Sequence, residues 1–252
     1  MLLQPFRCKE DTKILFGEMF KNLIFIGSSR SGSTWLAKAL LGHPKFKQPV
    51  KKPVRFWNQK IFGISDTSSS HPNLSLDDYL ELFSPEEGIT KCDISDGYSL
   101  LSHPTILAIK KYFPDALIVQ IMRKPSHIVN SHFGLHFENF DDIDRKQIRK
   151  QLIDYSGYQR HNINQIYAYK TWKAFFPKPQ FYLGFYEDFF KNPGDSLNKL
   201  ISYCGHDTDD LTNKDIYLKK INQRASKSST TLKLDSEIQS QLKKGYCNRR
   251  EI

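Results

Sequence analysis

Leu23-Ile24-Phe25-Ile26-Gly27-Ser28-Ser29-Arg30-Ser31-Gly32-Ser33-Thr34 is the stretch that decides the fold of this 252-residue chain. Four consecutive apolar residues, Leu23 to Ile26, read as a strand buried on both faces, and Gly27 ends it. A helix is predicted from Thr34 to Leu41, stopped by Gly42-His43-Pro44. Further along, Ser75 opens a short helix over Leu76–Phe83, with Asp77 and Asp78 in its first turn. Ile89–Ile94 suits a strand, and Pro104–Tyr112 a helix with Pro114 just beyond it. Ala116–Met122 is a second buried strand, after which Pro125 opens a helix reaching about Phe137. Asp141, Asp142 and Asp144 start another helical region, and His161–Phe175 is a long amphipathic helix. Phe181–Tyr186 reads as a third strand, and Asp195–Cys204 as a helix ended by Gly205; the Ser-rich stretch 65–73 is a loop. Strands alternating with helices predict an α/β fold of three layers, a mostly parallel central sheet flanked by helices. Such sheets bind ligands beyond the carboxyl ends of their strands, so the residues after Ile26, Met122 and Phe185 are the site candidates.

Composition narrows the class. Hydrophobic residues make up 39% of the chain and charged residues 25%, enough to build a core and to exclude wholesale disorder. No run approaches the roughly 20 apolar residues that a membrane span needs. Pro5, Arg7, Lys9, Glu10 and Asp11 break up any secretory leader. The four cysteines (Cys8, Cys92, Cys204 and Cys247) are scattered, which predicts reduced thiols in a cytoplasmic protein and no disulfide framework or zinc site. One domain over 1–252 is expected, with its core at about 21–205. The net charge of +10 is uneven: Lys45, Lys47, Lys51, Lys52, Arg55 and Lys60 have no acid among them, and residues 214–252 carry ten Lys/Arg against four Asp/Glu. Both stretches favour an anionic partner, although charge alone also fits a solubilising surface.

Gly27 to Thr34 has the G-x-x-x-x-G-x-[ST] layout of a Walker A loop between a strand and a helix. Its backbone N–H groups and the positive end of the helix suit a phosphate-like group. Ser33 stands where the Walker lysine would be, and Arg30 carries the cation instead. No strand ends in a convincing metal-binding acid, so a nucleoside triphosphate kinase is the weaker enzyme reading. A plain strand-to-helix turn with a capped helix remains the simpler alternative. After the second strong strand, Arg123 and Ser131 stand eight residues apart, and an arginine fork with a hydroxyl can clamp one phosphate. Two anion sites at one sheet edge call for a ligand with phosphates at both ends.

Together these two elements resemble the sulfotransferases that use 3′-phosphoadenosine 5′-phosphosulfate (PAPS), in their soluble bacterial form with a P-loop-like fold. The resemblance assigns Arg30, Ser31, Gly32, Ser33 and Thr34 to the 5′-phosphosulfate loop, and Arg123 and Ser131 to the 3′-phosphate. Trp35, next in the chain, is a further cofactor-binding candidate, with packing as the alternative. Leu41-Gly42-His43-Pro44 resembles the family's L-x-H-P. Asp93-Ile94-Ser95-Asp96-Gly97-Tyr98-Ser99 resembles its D-x-[ST]-P-x-Y-S, with Asp96 replacing the proline. Phe185-Tyr186-Glu187-Asp188-Phe189-Phe190 resembles its Y-E-D-L junction, which puts Tyr186 by the adenine. The basic loop at Ser226-Lys227-Ser228-Ser229 falls where relatives cover the nucleotide, so Lys227 joins the cofactor-binding candidates; a flexible polar linker is the alternative there. The implied activity is sulfuryl transfer from PAPS to a hydroxyl or amine of a small molecule or carbohydrate, releasing 3′,5′-ADP. No metal, nucleic acid or membrane partner is expected.

One departure bears on catalysis. Lys52-Pro53-Val54-Arg55-Phe56-Trp57 stands where this branch usually carries K-E-x-H-[FY]-F, so Pro53 replaces the glutamate that would act as general base. A lost base typically costs on the order of 10²–10⁴ in rate, so a catalytically impaired nucleotide-binding homologue is the alternative reading. Arg30 suits the charge growing on the leaving phosphate, and the candidate bases are Asp93, Asp96, His132 and His136. Glu187 and Asp188 read as acids at a helix start.

Overall fold

The computed structural model describes residues 19–58, 74–136 and 164–209, with Ser236 and Ser240 besides. The Ser-rich stretch 65–73, the acidic cluster at Asp141 and the Lys227 loop lie outside the described residues. So does most of the basic segment 214–252.

In chain order the elements are β1 (Asn22–Phe25), α1 (Ser33–Leu40), β2 (Phe46–Lys47), α2 (Leu76–Leu82), β3 (Thr90–Ile94) and α3 (His103–Tyr112). They continue as β4 (Leu117–Met122), α4 (Pro125–His136), α5 (Gln165–Phe175), β5 (Phe181–Phe185), α6 (Tyr186–Phe189) and α7 (Pro193–Tyr203). The five strands pair in the order β2-β3-β1-β4-β5, and every pairing is parallel. β1 therefore sits between the two directions of winding, the position where open parallel sheets hold ligands.

Side-chain alternation splits the core into two layers. Leu23 and Phe25 of β1 and Leu117, Val119 and Ile121 of β4 pack against α1 and α7 through Leu36, Leu40, Leu197 and Leu200. Ile24, Ile118 and Met122 face the opposite side, where Tyr79, Ile106, Ile109, Trp172 and Phe176 cover them. The expected three-layer α/β architecture is the one observed. All six residues of β4 are buried, as a strand inside a sheet covered on both faces requires; five are apolar, and the sixth, Gln120, is hydrogen-bonded to the Gln165 carbonyl. β5, at an edge among the described residues, is buried only at Phe181.

Register brings the functional ends together. Phe25 lies opposite Ile94 and Val119, and Met122 lies opposite Phe185. The residues that follow these strands (Gly27, Ser95, Arg123 and Tyr186) therefore share one rim. Gly27 is required there, because a Cβ would fall 2.2 Å from the Phe25 ring.

Most predicted elements stand within a residue or two of those found, with instructive exceptions. The helix expected from His161 is found from Gln165, with Asn164 as its N-cap, and 161–163 lie outside the described residues. β2 is only two residues long and carries too little pattern to be read. Tyr186, expected as the end of a strand, is instead the first residue of α6.

Trp172 anchors the layer under α5: it is fully buried, and its Nε1 donates to the Tyr98 carbonyl at 3.1 Å. Trp172→Ala is expected to lower unfolding free energy by about 3–5 kcal/mol, measured by urea denaturation, because it leaves both a cavity and an unpaired buried carbonyl.

Candidate functional site

The loop after β1 is closed from within. Ser31 is fully buried; its backbone N–H donates to the Ser28 carbonyl at 3.2 Å and its hydroxyl donates to the same oxygen. Its side chain therefore serves the turn and is not offered outward. Arg30 and Gly32 both take positive φ, 67° and 91°. Gly32 is the N-cap of α1, and no side chain caps that helix end. A Cβ on Gly32 would lie 2.7 Å from the Phe190 ring and 3.4 Å from that of Tyr186, so glycine lets the loop approach the β5–α6 junction. Thr34 is exposed, and Trp35 packs its ring edgewise on Phe189 and Phe190 at 5.9 and 5.1 Å.

Arg30 and Arg123 meet at this rim. Arg30 Nε donates to Ser131 Oγ at 3.0 Å, and Arg123 Nη1 donates to the Arg30 carbonyl at 2.5 Å. The two anion elements read from the sequence are thus one continuous cluster. Neither guanidinium forms an ion pair with a described carboxylate, and Arg123 Nε is buried with no partner among the described residues. Burial, and then the neighbouring Arg123 charge, push the Arg30 pKa down; burial lowers that of Arg123. Asp96 acts on Arg30 and Glu187 on Arg123 without pairing with them, and two cations drawn together and partly desolvated in this way suit an anion.

Arg123 is held from several sides. Its Cζ lies 4.1 Å from the centre of the Tyr186 ring, in cation–π contact. Its backbone exchanges two hydrogen bonds with the side chain of Gln165, at 2.8 and 2.7 Å. Gln165, the first residue of α5, is itself fixed by Gln120 Nε2 donating to its carbonyl at 2.9 Å. Nothing in the sequence marks Gln165, since its partners lie 42 and 45 positions away. Glu187 accepts from the Lys124 N–H at 3.1 Å and bonds His127 at 3.0 Å, tying α6 to the start of α4.

The third wall pairs the segment 52–57 with the end of β3. Ser95 Oγ accepts from the N–H groups of Val54 and Arg55 at 3.2 and 3.1 Å and donates to Asp93 at 2.6 Å. The hydroxyls of Tyr79 and Tyr98 donate to the other Asp93 oxygen at 2.8 and 2.7 Å. Asp93 is 0% exposed, and burial raises its pKa despite these three donors. The expectation of Asp93 as a general base is corrected on this ground: its carboxylate is a buried hub with no face for an acceptor. Asp96 differs. It is part-exposed at the rim, where Arg55 Nε and Nη2 donate to its Oδ1 at 3.1 and 2.9 Å. Arg55 takes a positive φ of 49° to do so. The side chains of His132 and His136 lie outside the described residues, although both belong to α4.

Lys52 escaped the sequence reading as a site residue. Its Nζ donates to Ser33 Oγ at 2.8 Å and to Thr34 Oγ1 at 3.4 Å. Its place in the K-E-x-H-like stretch was the available signal. His43 is fully buried away from the rim; its Nδ1 accepts from the Lys45 N–H at 3.1 Å and its Nε2 faces the Asp207 carbonyl at 2.6 Å, which fixes the tautomer with the proton on Nε2. Among the described residues no group of three or more His, Cys, Asp or Glu is placed to hold a metal, and no helix is long and apolar enough to cross a membrane.

Residues 77–210 match the Sulfotransferase family, and the chain belongs to that family. Among solved structures it is similar to a sulfotransferase from Alicyclobacillus acidocaldarius, with a TM-score of 0.64 and 18% identity over 88% of this chain and 89% of that one. It is also similar to the sulfotransferase domain of the Synechococcus PCC 7002 olefin synthase, with a TM-score of 0.52 and 15% identity over 90% and 94%. At these identities the likeness concerns the fold. No curated protein matches the sequence. The protein is a sulfotransferase, and its family implies a nucleotide co-substrate.

Asp93→Ala is expected to lower stability by about 2–4 kcal/mol, because it strands two buried tyrosine hydroxyls. The raised Asp93 pKa also sets a sign. The folded state holds the proton more tightly, so this group contributes most stability below the unfolded carboxyl pKa and loses it as pH rises through the folded value. In urea titrations, the stability advantage of wild type over Asp93→Asn is expected to grow as pH falls from 7 toward about 4.

Proposed function

We propose that this sulfotransferase takes PAPS as donor, passes the sulfuryl group to a hydroxyl or amine of a small molecule or carbohydrate, and releases 3′,5′-ADP. The observation that carries the reading is the joined Arg30–Arg123 cluster at the end of the central strands, whose Arg123 Nε has no partner among the described residues. Its residues fit a nucleotide with an anion at each end. Arg30, the Gly32–Thr34 backbone and the start of α1 suit the 5′ end. Arg123 and Ser131 suit the 3′-phosphate, and Tyr186, already against Arg123, suits the edge of the adenine.

PAPS supplies an activated sulfuryl group: the S–O bond to the 5′-phosphate breaks as an S–O bond to a hydroxyl acceptor, or an S–N bond to an amine, forms, and the acceptor's proton passes to a base. Arg30 and the loop N–H groups stabilise the charge gathering on the leaving phosphate. Asp96 is the acid best placed to take the proton. Its Oδ1 is occupied by Arg55, and it stands part-exposed at the rim just beyond β3. On this reading the acid missing at Pro53 has moved to the facing segment, with Arg55 holding it in place. A homologue that binds nucleotide without turnover is the second reading, and Pro53 is the observation in its favour.

Calorimetric titration with 3′,5′-ADP tests the proposal. Wild type is expected to bind with or without EDTA, and Arg123→Ala to weaken binding roughly ten- to hundredfold. Failure of wild type to bind removes the reading. Asp96→Asn is expected to bind 3′,5′-ADP yet release it from PAPS about 10²–10⁴ times more slowly, with water, sugars and phenols offered as acceptors. No release from wild type with any acceptor favours the second reading.

A further inference from the structure

The loop at Gly27–Thr34 has a serine at the position where a Walker loop carries its lysine. That serine is not left without a cation. Lys52, on the segment that follows β2, puts its ammonium 2.8 Å from the Ser33 hydroxyl and 3.4 Å from that of Thr34, the next position of the motif. We propose that Lys52 is the displaced lysine of this anion loop, reaching in from a neighbouring segment to bind the 5′ end of the nucleotide and to neutralise charge on the leaving phosphate. The inference rests on the PAPS reading above and assigns a further residue to the same pocket.

Three features support it. An ammonium has three N–H donors, and two are accounted for by Ser33 and Thr34, so one remains for a ligand. Accepting from Lys52 also leaves each hydroxyl its own proton, which can be donated onward to an anion. The arm is fixed at its base, because Ser95 binds the N–H groups of Val54 and Arg55 and is itself held by the buried Asp93. Such anchoring lowers the entropy lost when the long side chain engages a ligand.

The charges around Lys52 are mixed. Asp96 and Asp93, at the end of β3, favour its ammonium, whereas Arg55 on its own segment and, above all, burial oppose it; the pKa falls to about 8. Lys52 therefore begins to lose its proton in a range where the phosphates of a nucleotide are already fully ionised. A ligand phosphate would bind the ammonium form better, so affinity is expected to fall as pH rises through about 8.

The test compares 3′,5′-ADP with adenosine 3′-phosphate, which lacks the 5′ anion, by calorimetry on the full chain. Lys52→Ala is expected to weaken 3′,5′-ADP roughly ten- to hundredfold and to leave adenosine 3′-phosphate unchanged. Unchanged binding of the second ligand also shows that the variant is folded. Adding Ser33→Lys to Lys52→Ala, which returns the lysine to the helix, is expected to recover affinity for 3′,5′-ADP. Wild-type affinity for 3′,5′-ADP is expected to decline between about pH 7.5 and 9.5, and Lys52→Arg to flatten that profile, since a guanidinium keeps its proton. Equal losses for both ligands, no loss for 3′,5′-ADP, or a flat wild-type profile would overturn the role of Lys52 while leaving the PAPS reading standing. Failure of wild type to bind 3′,5′-ADP overturns both.

Discussion

Two guanidinium groups held in one partly buried cluster, without a described carboxylate to pair them, are the constraint on which this site depends. Arg123 donates to the Arg30 backbone, and Arg30 donates to Ser131, 101 positions along the chain. Like charges in that arrangement repel, and burial weakens their hydration. The fold holds them there through contacts that tolerate no slack: the Tyr186 ring beside Arg123, the Gln165 side chain bridging its backbone, and Gly32 leaving room for Phe190. An anion would relieve the repulsion, so in the proposed reading the structural liability is also the source of binding energy.

The sheet makes this possible by register alone. β1 lies between β3 and β4, and β4 pairs with β5, so four strand ends open onto one rim. Each contributes a different segment: the glycine-containing loop after β1, the Asp93–Asp96 segment after β3, Arg123 after β4 and Tyr186 after β5. Asp93 then ties the second of these to the segment bearing Lys52 and Arg55 through Ser95. A buried carboxylate with three hydroxyl donors is an expensive way to join two loops, and it fixes their spacing where an apolar contact could slide.

Much of this was legible in the sequence, for identifiable reasons. Leu23–Ile26 is an unbroken apolar run, and Ala116–Met122 is apolar but for Gln120, because their strands are covered on both faces, and that covering is what implies helices on either side. The loops after them were readable because glycine, serine and arginine at fixed spacing have few other uses. Depth was not readable. Asp93 and Asp96 stand three residues apart in one motif, yet one is sealed by Tyr79 and Tyr98 and the other reaches the rim. Lys52 was hidden for the same reason: its meeting with Ser33 spans 19 positions and depends on how the segment after β2 folds back. Ser31 was assigned by motif to the ligand, whereas its hydroxyl turns inward to close the loop.

Family membership defines the chemistry as sulfuryl transfer, and in the proposed reading the rim supplies its parts: cations on the donor side and Asp96, held by Arg55, on the acceptor side. The claim beneath all of it is that the Arg30 and Arg123 elements grip the two ends of a single nucleotide. A crystal structure of the full chain with 3′,5′-ADP tests this most directly. The account predicts one nucleotide with its 5′-phosphate in the Gly27–Thr34 loop and its 3′-phosphate on Arg123 and Ser131. A nucleotide bound elsewhere, or one whose phosphates leave either arginine untouched, would contradict it.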